Sequence, residues 1–309
     1  MGLLNSYIRN LEAFGALLVS GMAVNLGLRS RQDGTPRPKL VGEVPRVKSS
    51  EIARYLRVTG ADPYMYRDSS GRTLVPATYF ATWGVEQLAK SLLAARLPLS
   101  LVRLIHAASK VTIARLPHTG ERCRFSATVE TVEQTKRGVR VEQRLELVDA
   151  GGAPLSSNSI AMEIPDAWPP KHGLTAAPEL ASCEVDQVGK IILRSDEGMR
   201  YAVLSGDFEP SHWIGSFAKI RGLRGPIAHG YDLMARIAHT LVGTKAQGDP
   251  RRLRAIEATF HRPVVLPASL RLLGKTDDST TSDLTRLQFW LAEEYGETAS
   301  VSGSALIRA

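Results

Sequence analysis

A carboxylate and an imidazole lie close together in the run Tyr201-Ala-Val-Leu-Ser-Gly-Asp207-Phe-Glu-Pro-Ser-His212, and Gly225-Pro226-Ile-Ala-His-Gly230 follows shortly after. Asp207 and His212 are five residues apart across a proline-containing turn. Both side chains can therefore converge on one water molecule and do general acid–base work on it. Gly230 falls in the first turn of the helix expected after Pro226, where backbone N–H groups lack intrahelical partners and the helix dipole favours an anion. Having no Cβ, it lets a bound group come close to that backbone. Each residue also has a plainer role open to it: Asp207 as a turn cap, His212 as a satisfied, partly buried imidazole, Gly230 as a packing position. Ser205 is expected to support the turn and hydrogen-bond the pair, since no Gly-x-Ser-x-Gly elbow surrounds it. His229 and Tyr231 flank Gly230 and either line a pocket or pack.

Other chemistries find less support. His106, His118, His239 and His261 are spread over separate segments without metal-like spacing, so solvent or core roles are the default and no metal is expected. Cys123 and Cys183 form no CxxC, which leaves neither a disulfide framework nor a zinc set and fits a reducing, cytoplasmic setting. No Gly-x-Gly-x-x-Gly follows a strand and no phosphate-binding Gly-Lys loop exists. The 309-residue chain carries a net charge of +8, so anionic partners are expected. Nucleic acid is disfavoured among them, because aromatics make up 6% of residues and are not interleaved with the basic ones.

The elements that must position these residues occur twice. Tyr55-Leu-Arg-Val-Thr-Gly60 echoes Tyr201-Ala-Val-Leu-Ser-Gly206, and an acid and a proline follow each: Asp62-Pro63 in the first, Asp207 with Glu209-Pro210 in the second. Pro76 and Pro226 each open a helical stretch, and Leu116-Pro117 and Leu266-Pro267 place a second proline 41 residues after each. Ile227, Tyr231, Met234, Ala238 and Leu241 make one apolar helical face, and Tyr79, Trp83, Leu88 and Leu92 do the same after Pro76. Strand-like alternation comes next, Val139, Val141, Leu145 and Leu147 against Arg140, Glu142, Arg144 and Glu146, with Leu287, Phe289 and Leu291 repeating it. Proline-rich residues 164–182 read as a linker. Each half is thus an α+β unit whose single helix must be wrapped by its sheet.

The Asp207–His212 run and the Ile-x-His-Gly230 step together resemble the hydratase-2 signature of the MaoC-like hydratases and dehydratases. Glu209 stands where that signature has Asn, and Phe260-His-Arg-Pro263-Val looks like the family's Phe-x-x-Pro-Val strand. The resemblance implies a double hotdog: a leader segment over 1–45, a degenerate N-terminal hotdog over 46–165, a linker over 166–185 and a catalytic C-terminal hotdog over 186–309. The first copy, Gly60-Ala61-Asp62-Pro63, lacks a following His. It also implies (R)-specific hydration of trans-2-enoyl thioesters, or the reverse dehydration of (3R)-hydroxyacyl thioesters, in fatty-acid or related acyl-CoA metabolism. Asp207 and His212 would be the acid–base pair and the Gly230 amide the oxyanion donor. Ser205, Glu209, His229, Tyr231, Arg221 and Arg224 would meet substrate.

The substrate moiety would be CoA or an acyl-carrier thioester, with no separate cofactor. Lys219, Arg221, Arg224, Arg251, Arg252 and Arg254 suit its phosphates or an acidic carrier helix, and equally suit a solvated surface. Ala13 to Val24 is too short to span a bilayer and reads as a leader helix with weak membrane contact at most. A monomer or a homodimer is expected. Two rivals stand beside the hydratase: a hotdog acyl-CoA thioesterase, and a non-catalytic acyl-CoA binder in which Glu209 marks a decayed site. Glu209 is expected to raise the pKa of the acid beside it through like-charge repulsion.

Overall fold

A computed structural model describes residues 37–95, 97, 104–166, 176–180, 185–277 and 283–309. The period-two segments become ten strands: β1 (Leu40–Glu43), β2 (Ile105–Ile113), β3 (Cys123–Thr135), β4 (Gly138–Asp149), β5 (Pro154–Pro165), β6 (Asp186–Leu193), β7 (Leu253–Phe260), β8 (Ala268–Asp277), β9 (Leu284–Glu293) and β10 (Val301–Arg308). They form one sheet in the order β1-β3-β4-β5-β2-β7-β10-β9-β8-β6. β2 and β7 join the halves antiparallel, from Ala108 opposite Thr259 to Thr112 opposite Ala255. Alternation fixes which face is inside: Val141 and Leu145 are buried, and Gln143 between them donates to the Leu88 carbonyl and Ser91 Oγ instead of facing water.

Five α-helices lie among the described residues: α1 (Ser49–Val58), α2 (Gly84–Ala95), α3 (Glu197–Ser205), α4 (Gly215–Ile220) and α5 (Gly230–Thr244), of which α2 and α5 pack against strands. Leu233, Met234, Ile237, Ala238 and Leu241 of α5 are buried in a core cluster that draws on both halves. Three charges are buried there too. Arg236 of α5 meets Asp232 and Glu197 at 2.9 Å each and donates to the Val58 carbonyl, tying α5 to α3 and α1. Burial pushes the Asp232 carboxyl up to about 6 against the pull of Arg236.

Three details differ from the sequence reading. The stretch after Pro76 is not one helix: residues Ala77–Thr82 form a 3₁₀ segment and α2 begins at Gly84. Its Thr78, Tyr79, Phe80 and Thr82 are β-branched or aromatic and hold an α-helix poorly. The helix after Pro226 starts at Gly230, and Ile227 pairs with Val265 instead of lying on the helical face. The first unit begins before residue 46, because Leu40–Glu43 pairs with β3. The leader helix, Cys183 and most of the 166–185 linker lie outside the described residues. Among the described residues, no helix is long and apolar enough to cross a membrane.

Candidate active site

α3 ends at Gly206, whose left-handed backbone (φ 78°) turns the chain back after the last helical residue. Ser205 Oγ, buried, donates to the Tyr201 carbonyl at 2.9 Å and accepts from the Asp207 N–H at 3.2 Å, so it holds the turn as expected. A 3₁₀ turn, Pro210–His212, then presents His212. Glu209 caps that turn, accepting from the Ser211 N–H at 2.8 Å and from Ser211 Oγ at 3.0 Å. Its carboxylate is committed to Ser211, and the expected upward push on Asp207 is not found.

The Asp207 carboxyl is instead held below its usual range. Burial acts to raise it, but the His229 and His212 rings and the Glu209 N–H outweigh that effect. One donor atom from each of Asp207, His212 and His229 lies within 4.8 Å of the others. The two imidazoles are stacked, centroids 3.6 Å apart and planes 19° off parallel. His212 Nδ1–H donates to the Ile227 carbonyl at 2.9 Å, which leaves Nε2 as the lone-pair nitrogen of the neutral ring. His229 Nε2–H donates to the Asp207 carbonyl at 3.0 Å. Burial, then the His212 ring, lowers its pKa to about 3, so His229 is neutral. A metal ion must lie near the plane of each ligating ring, and two rings stacked this closely cannot both meet that condition. The cluster suits proton movement.

His229 is the N-cap of α5 and Gly230 its first residue. At this end the Leu233 N–H donates to the His229 carbonyl at 3.1 Å. The amides of Gly230, Tyr231 and Asp232 therefore face outward along the helix axis without intrahelical partners. Gly230 is required here, because a Cβ would lie 2.7 Å from His106 Nδ1 and 3.3 Å from the Phe260 ring. His106 comes from β2 in the first half. Its ring stands 4.3 Å from Tyr231 and 4.6 Å from Phe260, and Nε2 bonds Ser109 Oγ at 2.7 Å. Burial lowers its pKa to about 4 while Asp207 pulls the other way. The sequence reading placed His106 among default core or solvent histidines. No local signal marked it, since its place follows from the pairing of β2 with β7.

The remaining candidates separate. Tyr231 packs against His106 and Phe80, beside the cluster. Arg221 caps the end of α4, and Arg224 is exposed on the connection toward Pro226, so both lie on the strap between the His212 turn and α5. The Phe-x-x-Pro-Val segment is not a strand throughout: β7 ends at Phe260, and Val264 and Val265 run on as a connection that bonds Ala228 and Ile227. Arg251 and Arg254 lie at the opposite end of β7 from Phe260. A strand rises about 3.3 Å per residue, so Arg254 stands roughly 20 Å from the cluster. Two buried polar atoms at the site, Tyr201 Oη and His229 Nδ1, have no hydrogen-bond partner among the described residues.

Solved proteins share this fold. Residues 179–286 match the family described as MaoC like domain. A solved MaoC-like dehydratase superposes with a TM-score of 0.72 at 14% identity, over 88% of this chain and 98% of that one. A MaoC-like dehydratase from Phytophthora capsici gives 0.70 at 17% identity, over 88% and 95%. A conserved protein from Mycobacterium tuberculosis, described as having a double hotdog fold, gives 0.59 at 10% identity, over 92% and 99%. The search of curated proteins returns no match.

Proposed function

We propose that this chain, a double hotdog whose residues 179–286 form a MaoC-like domain, is an (R)-specific hydro-lyase that interconverts trans-2-enoyl and (3R)-hydroxyacyl thioesters. The observation that carries the proposal is the convergence of Asp207, His212 and His229 within 4.8 Å at the N-terminus of α5. Hydration needs a base for water, an acid for the α carbon and donors at the thioester oxygen. Asp207, held ionised, and His212, with Nε2 free of the Ile227 bond, supply the first two between them. They take a proton from water as its oxygen bonds the β carbon, and return one to the α carbon. Negative charge that builds on the thioester oxygen meets the Gly230 amide and the dipole of a 15-residue helix. His229, neutral and stacked on His212, fixes that ring's position. His106, whose Nδ1 would lie 2.7 Å from a Cβ at Gly230, walls the oxygen's pocket from the first half.

The reaction requires no separate cofactor; CoA or an acyl carrier protein brings the acyl group. The carboxylate of Glu209 caps the His212 turn as an Asn side-chain oxygen would, which supports an active site over a decayed one. The test is a spectrophotometric assay on crotonyl-CoA and longer enoyl-CoAs with chiral analysis of the product. Loss of the enoyl absorbance with formation of the (R)-3-hydroxy isomer is expected. An inert protein, an (S) product or release of free CoA would overturn the reading.

A further inference from the structure

At the other end of the β2–β7 pair, residues of both halves line a partly open cavity of about 300 Å³. Its walls come from both: Asp68, Leu74, Ile113, Ala114, Arg115, Leu116 and His118 from the first half, Arg251, Arg254 and Arg308 from the second. Leu74, Ile113 and Leu116 are buried and give it an apolar floor, while four guanidinium groups surround it. None of Asp207, His212, His229 and Gly230 lines it; Arg251 follows the C-terminal end of α5 in the chain, whereas Gly230 is that helix's first residue. At 1.5 Å per residue the helix alone spans about 22 Å.

The charges here are arranged, not merely numerous. Arg115 is clamped by both Glu121 oxygens, at 2.6 and 3.1 Å, with Asp149 at 3.4 Å, and Arg251 is clamped by Asp249. The cavity's own carboxylate, Asp68, is already spent: it accepts from Ser70 N–H and Oγ, the Arg72 N–H and His118 Nε2 at 2.7 to 2.9 Å. Arg254 and Arg308 pair with no carboxylate among the described residues. Two fixed and two unpaired guanidinium groups over an apolar floor form a site for an oxyanion on a small organic body. Its position between two units and its size are those of a ligand pocket.

We propose that this cavity is a second ligand site, independent of the Asp207 cluster, that takes a phosphate or pyrophosphate group borne by a small organic molecule. Isothermal titration of the full chain with inorganic pyrophosphate and with ADP tests it. Both should bind, more weakly as salt rises. The double variant Arg254→Glu, Arg308→Glu should weaken binding by at least about tenfold, whereas Asp207→Asn should bind as the native chain does. The milder Arg308→Gln serves if the double variant fails to fold. Absence of binding, or binding that ignores the arginine changes, overturns the proposal. Binding lost in Asp207→Asn would place the anion in the other site and overturn it too. If the arginine changes raise KM for enoyl-CoA at unchanged kcat, the cavity holds the phosphates of the CoA substrate itself and is no independent site.

Discussion

The two halves contain the same turn put to different uses. Gly60 and Gly206 both end a helix with left-handed backbone (φ 80° and 78°), and the Thr59 and Ser205 hydroxyls bond the Tyr55 and Tyr201 carbonyls at 2.9 Å each. A carboxylate then caps a proline-led 3₁₀ turn in each: Asp62 accepts from the Tyr64 N–H, and Glu209 from the Ser211 N–H. Asp62 is therefore the counterpart of Glu209, and the second half has one extra residue between glycine and cap, with Asp207 and Phe208 where the first has Ala61. Beside the first turn the place is taken by a residue of α5, from the second half. His239 Nε2–H donates to Thr59 Oγ1 at 3.0 Å and Nδ1 accepts from Tyr66 Oη at 2.9 Å, so both ring nitrogens are satisfied. His229 in the second half keeps a buried nitrogen unpartnered. Satisfied polar groups mark the first turn and unpartnered ones the second.

This contrast can be broken at several points. The largest expected effect is on His212: its change to Gln keeps shape and the turn, removes proton transfer, and should lower enoyl-CoA turnover by about 10² to 10⁴ with the melting temperature nearly unchanged. Acid comes next. His106, His229 and His239 hold folded pKa values of about 4, 3 and 3 against an ordinary 6.5, with burial the main cause. The unfolded chain therefore binds up to three more protons below pH 6.5, while Asp232, raised to about 6, offsets one of them. Stability should be intact above pH 6.5 and fall by up to about 3 kcal/mol per pH unit toward pH 4. Urea midpoints across that range measure it, and His239→Gln should flatten the fall.

A smaller loss is expected at Gly198, where a Cβ would run into the His212 carbonyl. Gly198→Ala should displace the His212 turn and lower kcat by about 10², whereas an unchanged kcat would mean the turn's position is not critical. The smallest effect belongs to Glu209. Since Asn can also accept from Ser211, Glu209→Asn should stay within a few fold of native turnover with its acidic limb unmoved. A displaced limb would show that the two carboxylates interact after all.

Much of this was legible in the sequence because the duplication is local and periodic. Repeated Tyr…Gly runs, paired prolines and alternating strands are written along the chain, and so was the Asp207–His212 spacing. The echo left open whether Asp62 answers to Asp207 or to Glu209, because a cap and an acid are the same residue type, and one inserted residue shifts which is which. His106 was hidden for another reason. It lies 101 residues before Asp207, and its role arises from the β2–β7 pairing, which no local pattern encodes. The broken helix after Pro76 follows from propensity that an apolar period overrode in reading.

The account claims that one of two similar turns does the chemistry, so the most direct measurement is crotonyl-CoA hydration by Asp207→Asn and Asp62→Asn, assayed beside the native chain. Asp207→Asn should lose about 10² to 10⁴ in kcat while Asp62→Asn stays within a few fold. Equal losses in both folded variants, or full activity in Asp207→Asn, would contradict it.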